Sequence, residues 1–347
     1  MFTKYYSDLF FLPPGRPHLS LLYPFWGALP EPKLAPDSGR LEALTKYGSQ
    51  FYHVSPEVKS AKAGILPFAF LHTEECWHFA RRMAEVCQKA DIPMLLFNNA
   101  DDISPINLQN TIVLRTSALA SKCDQQVVGL PTWSADFARY YPNEEIQYAA
   151  YQKKPSVSYC GYIDYLQPFD HVGTRLKRTV SYWFGKRSRY QDQGLILRGQ
   201  AIRILLADPT IHTNLILREG FWGGKRSPIE ARVEYAGNMQ ESPYALTVRG
   251  AGNFSYRLYE VMSSGRIPVF INTDCLLPFS DWIDWKKQMV WIEATERQRL
   301  PEIIKSFHAG HNADSLLALQ KQNRAIYEEW LSPLGFARNL YRILDRT

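Results

Sequence analysis

Two groups of residues in this chain have the types and spacing to do chemistry. The denser lies in SPYALTVRGAGNFSYRLYEVMSSGRIPVFINTDCLLPF, which reads as strand, Gly-containing turn, helix, strand and proline turn. Arg249 and Gly250 leave the first strand, Gly252 permits close backbone approach, and Asn253 or Ser255 is placed to cap the helix. A helix N-terminus with free N–H groups beside an arginine suits a phosphate. Glu260 follows about one and a half turns into that helix, where a carboxylate can accept both hydroxyls of a ribose. Two blander readings compete. GAGNFS carries the first two glycines of a dinucleotide fingerprint, but Ser255 stands where the third belongs, and the motif is not in a first βαβ unit. Glu260 can also simply pair with Arg257 on the helix surface, which spacing alone makes equally reasonable.

The second group consists of polar residues just after expected strands: His72, Asp101, Asp102, Gly161, Arg218, Glu219 and Asp274. In open α/β sheets, ligands bind beyond the carboxyl ends of the strands, so each is a site candidate.

The elements that position these residues alternate between strand and helix. The first 45 residues are rich in Pro and aromatics and are expected to form an irregular leader. From Gly64, GILPFAFL reads as a buried strand. TEECWHFARRMAEVCQKA reads as a helix capped by Thr73, with Cys76 and Cys87 in its packing face, and PMLLFNNA and NTIVLRTS as further strands. Residues 132–154 read as a connector, after which the rhythm resumes from SVSYCGY to IPVFINTD. The chain from Asp314 is expected to be helical with a break near Pro333. The expected architecture is α/β, with two Rossmann-like domains facing a central cleft. The domains are placed at 1–150 and 151–320, with helices from 321 to 347 returning to the first.

Composition supports this reading. The chain has 347 residues, 46% hydrophobic and 21% charged, enough apolar material for two cores and too much for large-scale disorder. The five cysteines are widely spaced, without a CxxC pair, which argues against a disulfide framework or zinc site. The net charge of +6 is too mild to imply nucleic acid. The stretch 175–189 concentrates Lys and Arg around Tyr182, Trp183 and Phe184. It reads as a solvated face, a peripheral contact with anionic lipid, or a grip on a phosphate-bearing acceptor. With no signal peptide or membrane span visible, a cytoplasmic location is expected, possible contact being with the inner membrane face.

The stretch from Val248 to Trp285 resembles the exostosin family of glycosyltransferases, family 47. That family's pattern runs Pro-Arg-Gly, Ser-x-Arg-x-x-Glu-Ala, Gly-Cys-Ile-Pro-Val, Leu-Pro-Phe and Ile-x-Trp. This chain has VRG at Val248–Gly250, SYRLYEV at Ser255–Val261, GRIPV at Gly265–Val269, LPF at Leu277–Phe279 and IDW at Ile283–Trp285. Val248 replaces the usual proline and Arg266 the usual cysteine. The resemblance implies a GT-B fold, an inverting mechanism and a UDP-sugar donor acting as substrate, with no cofactor. By position, Arg249 would hold the diphosphate and Glu260 the ribose. Gly250, Gly252, Asn253, Ser255, Arg257, Gly161 and Arg218 complete the donor set. No DxD motif lies at a strand end, so no metal is expected. The acceptor would be a glycan or lipid-linked sugar in polysaccharide biosynthesis.

An inverting transfer needs a base facing the donor from the other domain. Asp101 and Asp102, after PMLLFNNA, come first, and His72 second; each can equally be a loop or helix-capping residue. Removing Arg249 is expected to abolish transfer while leaving the fold intact. The other class of function left open is a non-catalytic GT-B-shaped subunit that binds sugar or stabilises a partner transferase.

Overall fold

The computed structural model describes residues 3–31, 37–163, 189–218 and 227–346. Residues 175–188 of the basic stretch, and Glu219, lie outside the described residues. The described residues form two all-parallel sheets. The first runs β2-β1-β3-β4-β5-β6, from β1 (Thr3–Tyr6), β2 (Tyr52–Ser55), β3 (Ala63–Ile65), β4 (Met94–Asn98), β5 (Thr111–Arg115) and β6 (Val127–Gly129). The second runs β11-β10-β9-β7-β8, from β7 (Ser156–Tyr162), β8 (His212–Arg218), β9 (Tyr244–Thr247), β10 (Ile267–Asn272) and β11 (Val290–Glu293). The longer helices are α1 (Glu74–Lys89), α2 (Arg189–Ala207), α3 (Pro228–Gln240), α4 (Tyr256–Ser263), α5 (Leu300–Ala309), α6 (Ala313–Ile326) and α7 (Pro333–Asn339).

The leader corrects the sequence reading. Thr3–Tyr6 is an interior strand, paired on both sides with β2 and β3. Tyr5 and Tyr6 are both buried although they point to opposite faces. A parallel sheet is covered on both faces, so such a strand shows no polar alternation to betray it. GILPFAFL delivers less strand than expected. Pro67 has no N–H to give a ladder, and the chain beyond β3 follows β4 through isolated bonds from Leu66 and Phe70. The helix after it is as read: the Thr73 hydroxyl accepts the Cys76 N–H, and Cys76 and Cys87 are buried.

In the second sheet, β7 pairs with β8 on one side and β9 on the other. The strand order therefore reverses between β7 and β9, and the crevice beyond their carboxyl ends is where such a sheet takes a ligand. Gly265 ends α4 with φ +61, and a Cβ there would meet the Tyr148 ring at 2.7 Å, so a side chain is excluded twice over. Arg266 is buried and donates to the carbonyls of Gln147 and Gln240 at 2.9 and 2.8 Å, fastening the connecting segment to the second domain.

The chain does not end where its second sheet does. Beyond α6, a π-helical turn (Tyr327–Leu331) is followed by α7, whose first residue is Pro333. Tyr327, Leu331, Phe336, Leu340 and Ile343 join one core with Tyr5, Leu22, Leu95 and Leu114 of the first domain and with Met262 and Phe279 of the second.

Candidate active site

A cavity of about 530 Å³ lies between the domains, within the range of small-molecule sites. One wall is the switch point of the second sheet: Cys160, Gly161 and Tyr162 from β7, then Val248, Gly250 and Ala251 following β9. Ser255, Tyr256 and Arg257 bring the start of α4 to the same wall. Asp37, Arg40 and Asp101 face it from the first domain.

The turn between β9 and α4 is fixed to the first domain by one side chain. Asn253 is fully buried, and its amide donates to the carbonyls of Ala118, Thr273 and Asp274 at 2.7, 3.1 and 2.9 Å. Its backbone N–H donates to the Ser117 hydroxyl at 2.9 Å, and that hydroxyl donates to the Asp101 carbonyl at 3.2 Å. The turn before α4 and the first-domain aspartate are thus set against each other through two residues. Ser255 begins α4 in an extended conformation, and its hydroxyl makes no capping bond. The Leu258 N–H turns back to the Ser255 carbonyl at 3.3 Å, and Ser255, Tyr256 and Arg257 bring the helix start to the cavity wall.

Glu260 is not on a helix surface and does not pair with Arg257. It is buried at 4% exposure, receives Arg232 Nη1 at 2.8 Å on one oxygen and the Tyr235 hydroxyl at 2.6 Å on the other. Burial pushes the Tyr235 phenol well above its usual range, so it remains a donor. Arg232 comes from α3, where the capping box of Ser227 and Glu230 sets the helix start. Burial alone would lower the Arg232 pKa, but Glu260 and Asp37 more than offset this and hold it above its usual value. Arg257 donates to the Tyr235 hydroxyl and the Cys160 carbonyl, and lies 4.2 Å over the Tyr159 ring. Gly161 keeps that space open, since a Cβ there would stand 2.8 Å from the Arg257 guanidinium.

Arg249 occupies a different place from the cavity-lining residues. It is buried at 1% exposure and donates to the carbonyl of Ala251 at 2.8 Å and to Gln193 at 3.4 Å. Its charge is spent partly on shaping the glycine turn, so its removal disturbs the fold as well as any ligand. Arg218 lines the cavity and donates to the Ala231 carbonyl and the Glu234 carboxylate at 2.7 and 2.8 Å.

Of the three first-domain candidates, the cavity takes Asp101. Burial raises its pKa, opposed by Arg249; neighbouring Asp102 adds to the rise and the Gly252 N–H opposes it. Gly252 must lack a side chain here, since a Cβ would lie 2.9 Å from the Asp101 carboxylate and 2.5 Å from the Phe254 ring. Asp102 instead pairs with His72 at 3.4 Å and Arg115 at 3.6 Å, away from the lining. Asp274 accepts the Ser121 backbone N–H and hydroxyl at 3.0 and 2.6 Å, which makes it an inter-domain tie. Sequence reading missed Asp37, Arg40, Arg198, Arg232 and Tyr235. The two on α3 carried only a helical spacing signal, and their role depends on which face meets α4. Among the described residues, no group of three or more His, Cys, Asp or Glu side chains is disposed to hold a metal ion.

Two parallel, helix-covered sheets with a ligand-sized cavity between them define a GT-B-type fold of two Rossmann-like domains. Comparison with known proteins narrows the class. Residues 149–307 match the profile described as the Exostosin GT47 domain. Exostosin-1 of Drosophila melanogaster is 29% identical over 103 residues, covering 30% of this chain and 13% of the relative. The Exostosin-1 homolog of Caenorhabditis elegans is 29% identical over 100 residues, 29% of this chain and 25% of the relative. Exostosin-1 of Mus musculus is 27% identical over 101 residues, 29% and 13% respectively. The matches thus span no more than a quarter of the length of these curated relatives. The similarity to exostosins therefore lies in the second half of this chain.

Proposed function

We propose that this chain is an inverting glycosyltransferase that moves a sugar from a UDP-sugar to a glycan or lipid-linked acceptor in polysaccharide biosynthesis. The observation that carries this reading is the shared cavity, with the β7/β9 switch point, the start of α4 and Glu260 on one side and Asp101 on the other. The donor nucleotide lies against the second domain, with its ribose hydroxyls on Glu260 and its diphosphate at the first turn of α4. The Asp101 carboxylate takes the proton of the acceptor hydroxyl, whose oxygen attacks the anomeric carbon from the face opposite the diphosphate. The bond from that carbon to the diphosphate breaks, and its electron pair leaves on the nucleotide. The helix N-terminus and nearby arginines meet the developing charge, a preorganised electrostatic contribution that requires no metal. Among the described residues, five arginines line the cavity against three carboxylates, a balance suited to an anionic ligand.

A thermal-shift screen of UDP-, GDP- and ADP-sugars against the full chain tests donor binding, because a ligand of the native state raises the melting temperature. Nucleotide release and product formation with oligosaccharide acceptors test transfer, and proton NMR of the new linkage tests inversion. Binding without turnover across the acceptor panel would instead favour the non-catalytic subunit. Absence of any nucleotide-sugar binding would remove the transferase reading and leave a subunit that stabilises a partner transferase.

A further inference from the structure

Of the five arginines at the cavity, four have their guanidinium groups engaged within the protein. Arg198 donates to the carbonyls of Tyr162 and Arg249. Arg218 is held by Ala231 and Glu234, Arg232 by Asp37 and Glu260, and Arg257 by Tyr235 and Cys160. The fifth, Arg40, comes from the first domain, and its side chain is 38% exposed. Among the described residues its ion-pair partner is Asp37 Oδ2 at 4.0 Å, the outer limit of an ion pair. That carboxylate is itself committed elsewhere, since its other oxygen takes Arg232 at 2.5 Å and the Ala135 N–H at 3.0 Å. The buried Arg232 charge neutralises much of what would attract Arg40, so among the described cavity arginines Arg40 is the least satisfied.

We infer that Arg40 contacts the diphosphate of the donor from across the cleft. The inference rests on the reading of the cavity as a nucleotide-sugar site and adds to it a ligand-binding residue outside the exostosin-matched segment. A planar guanidinium with five donors suits two phosphate groups, and a phosphate dianion outcompetes a carboxylate that is already paired. Because Arg40 belongs to the first domain and the ribose carboxylate to the second, the donor joins the two domains. The contact is made only when both walls face the same ligand. The connection Arg40–Asp37–Arg232–Glu260 runs through ion pairs from one wall to the other. Donor occupancy at Glu260 and the position of Arg40 are therefore linked.

The test compares wild type, Arg40→Ala, Arg40→Gln and Arg40→Lys in the full chain by isothermal titration with UDP, GDP and ADP and with the matching nucleosides. Arg40 is exposed, so all four proteins should melt alike. Arg40→Ala and Arg40→Gln should lose about tenfold or more in affinity for the diphosphate that binds wild type, while nucleoside affinity is unchanged. Arg40→Lys should recover part of the loss. Equal diphosphate affinity in wild type and Arg40→Ala overturns the inference, as does an equal loss for diphosphate and nucleoside, which would mean a structural role. A wild type that binds none of the nucleotides defeats the functional reading itself, and this inference with it.

Discussion

Asp101 carries opposite demands on activity and stability. Its carboxyl is raised above the ordinary range by burial, against the pull of Arg249. A base with a raised pKa loses its ionised form at higher pH, so kcat/KM should fall on the acid side earlier than for an exposed aspartate. The same shift acts the other way on stability. A carboxyl with a higher pKa folded than unfolded contributes stability at low pH and loses it as pH rises through the folded value. At neutral pH the ionised form is therefore the less favourable one to bury. Asp101→Asn should abolish turnover without lowering the melting temperature at pH 7. A marked drop in melting temperature would make Asp101 a structural residue. Glu260 is the second case at this scale. Its oxygens hold Arg232 and Tyr235 and still line the cavity. Charge-assisted bonds to ribose contribute roughly 1.5–3 kcal/mol each. Glu260→Gln should weaken UDP binding moderately and Glu260→Ala more; titration showing equal affinities would remove Glu260 from the donor site.

Among the elements, the turn from β9 to α4 has the most to lose from one substitution. Asn253 supplies three amide bonds to carbonyls drawn from both domains. Asn253→Ala leaves buried carbonyls unsatisfied and should cost about 2–4 kcal/mol in urea unfolding. Asn253→Asp is nearly isosteric but sets a carboxylate against the same carbonyls, and should be worse than alanine. The reverse order would show that packing, not hydrogen bonding, holds the turn. Arg249 belongs to this scale too. Because it is buried and holds its own turn, Arg249→Ala should reduce both activity and stability, the latter by about 1–3 kcal/mol. An unchanged melting temperature with lost activity would return Arg249 to a purely ligand-binding role.

At the scale of the whole molecule, the domains share a core and are not merely tethered. Phe336 is fully buried near Phe97 and Trp133 of the first domain and Phe279 of the second, with ring centroids 6.5, 5.5 and 5.7 Å away. Phe336→Ala should cost about 3–5 kcal/mol by chemical denaturation, although it lies outside the cavity. Among the described residues, no helix is long and apolar enough to cross a membrane. Under the proposed mechanism, EDTA should leave transfer intact, because arginines and a helix end neutralise the leaving diphosphate. Loss of activity with EDTA and recovery with manganese would overturn that part of the mechanism.

The sequence by itself determined the α/β alternation, the Thr73 cap, the helix after the Gly turn and the exostosin-like segment around it. Each is written in local spacing: apolar periodicity, a capping side chain, or residues held in order along one strand-turn-helix. It left β1 unread because a strand buried on both faces has no alternation, and Tyr5 and Tyr6 resemble any aromatic pair in a proline-rich leader. It also left open which acid faces the cavity. Asp101 and Asp102 are adjacent in sequence, yet one lines the cavity while the other turns to His72 and Arg115. The tertiary structure alone decided that Glu260 pairs with Arg232 and not with its helix neighbour Arg257. That choice depends on α3 packing against α4, and on Asp37 reaching Arg232 from the other domain. Contacts between residues so far apart in the chain leave no period or spacing to read. They arise only when two sheets, each specified locally, bury their shared core.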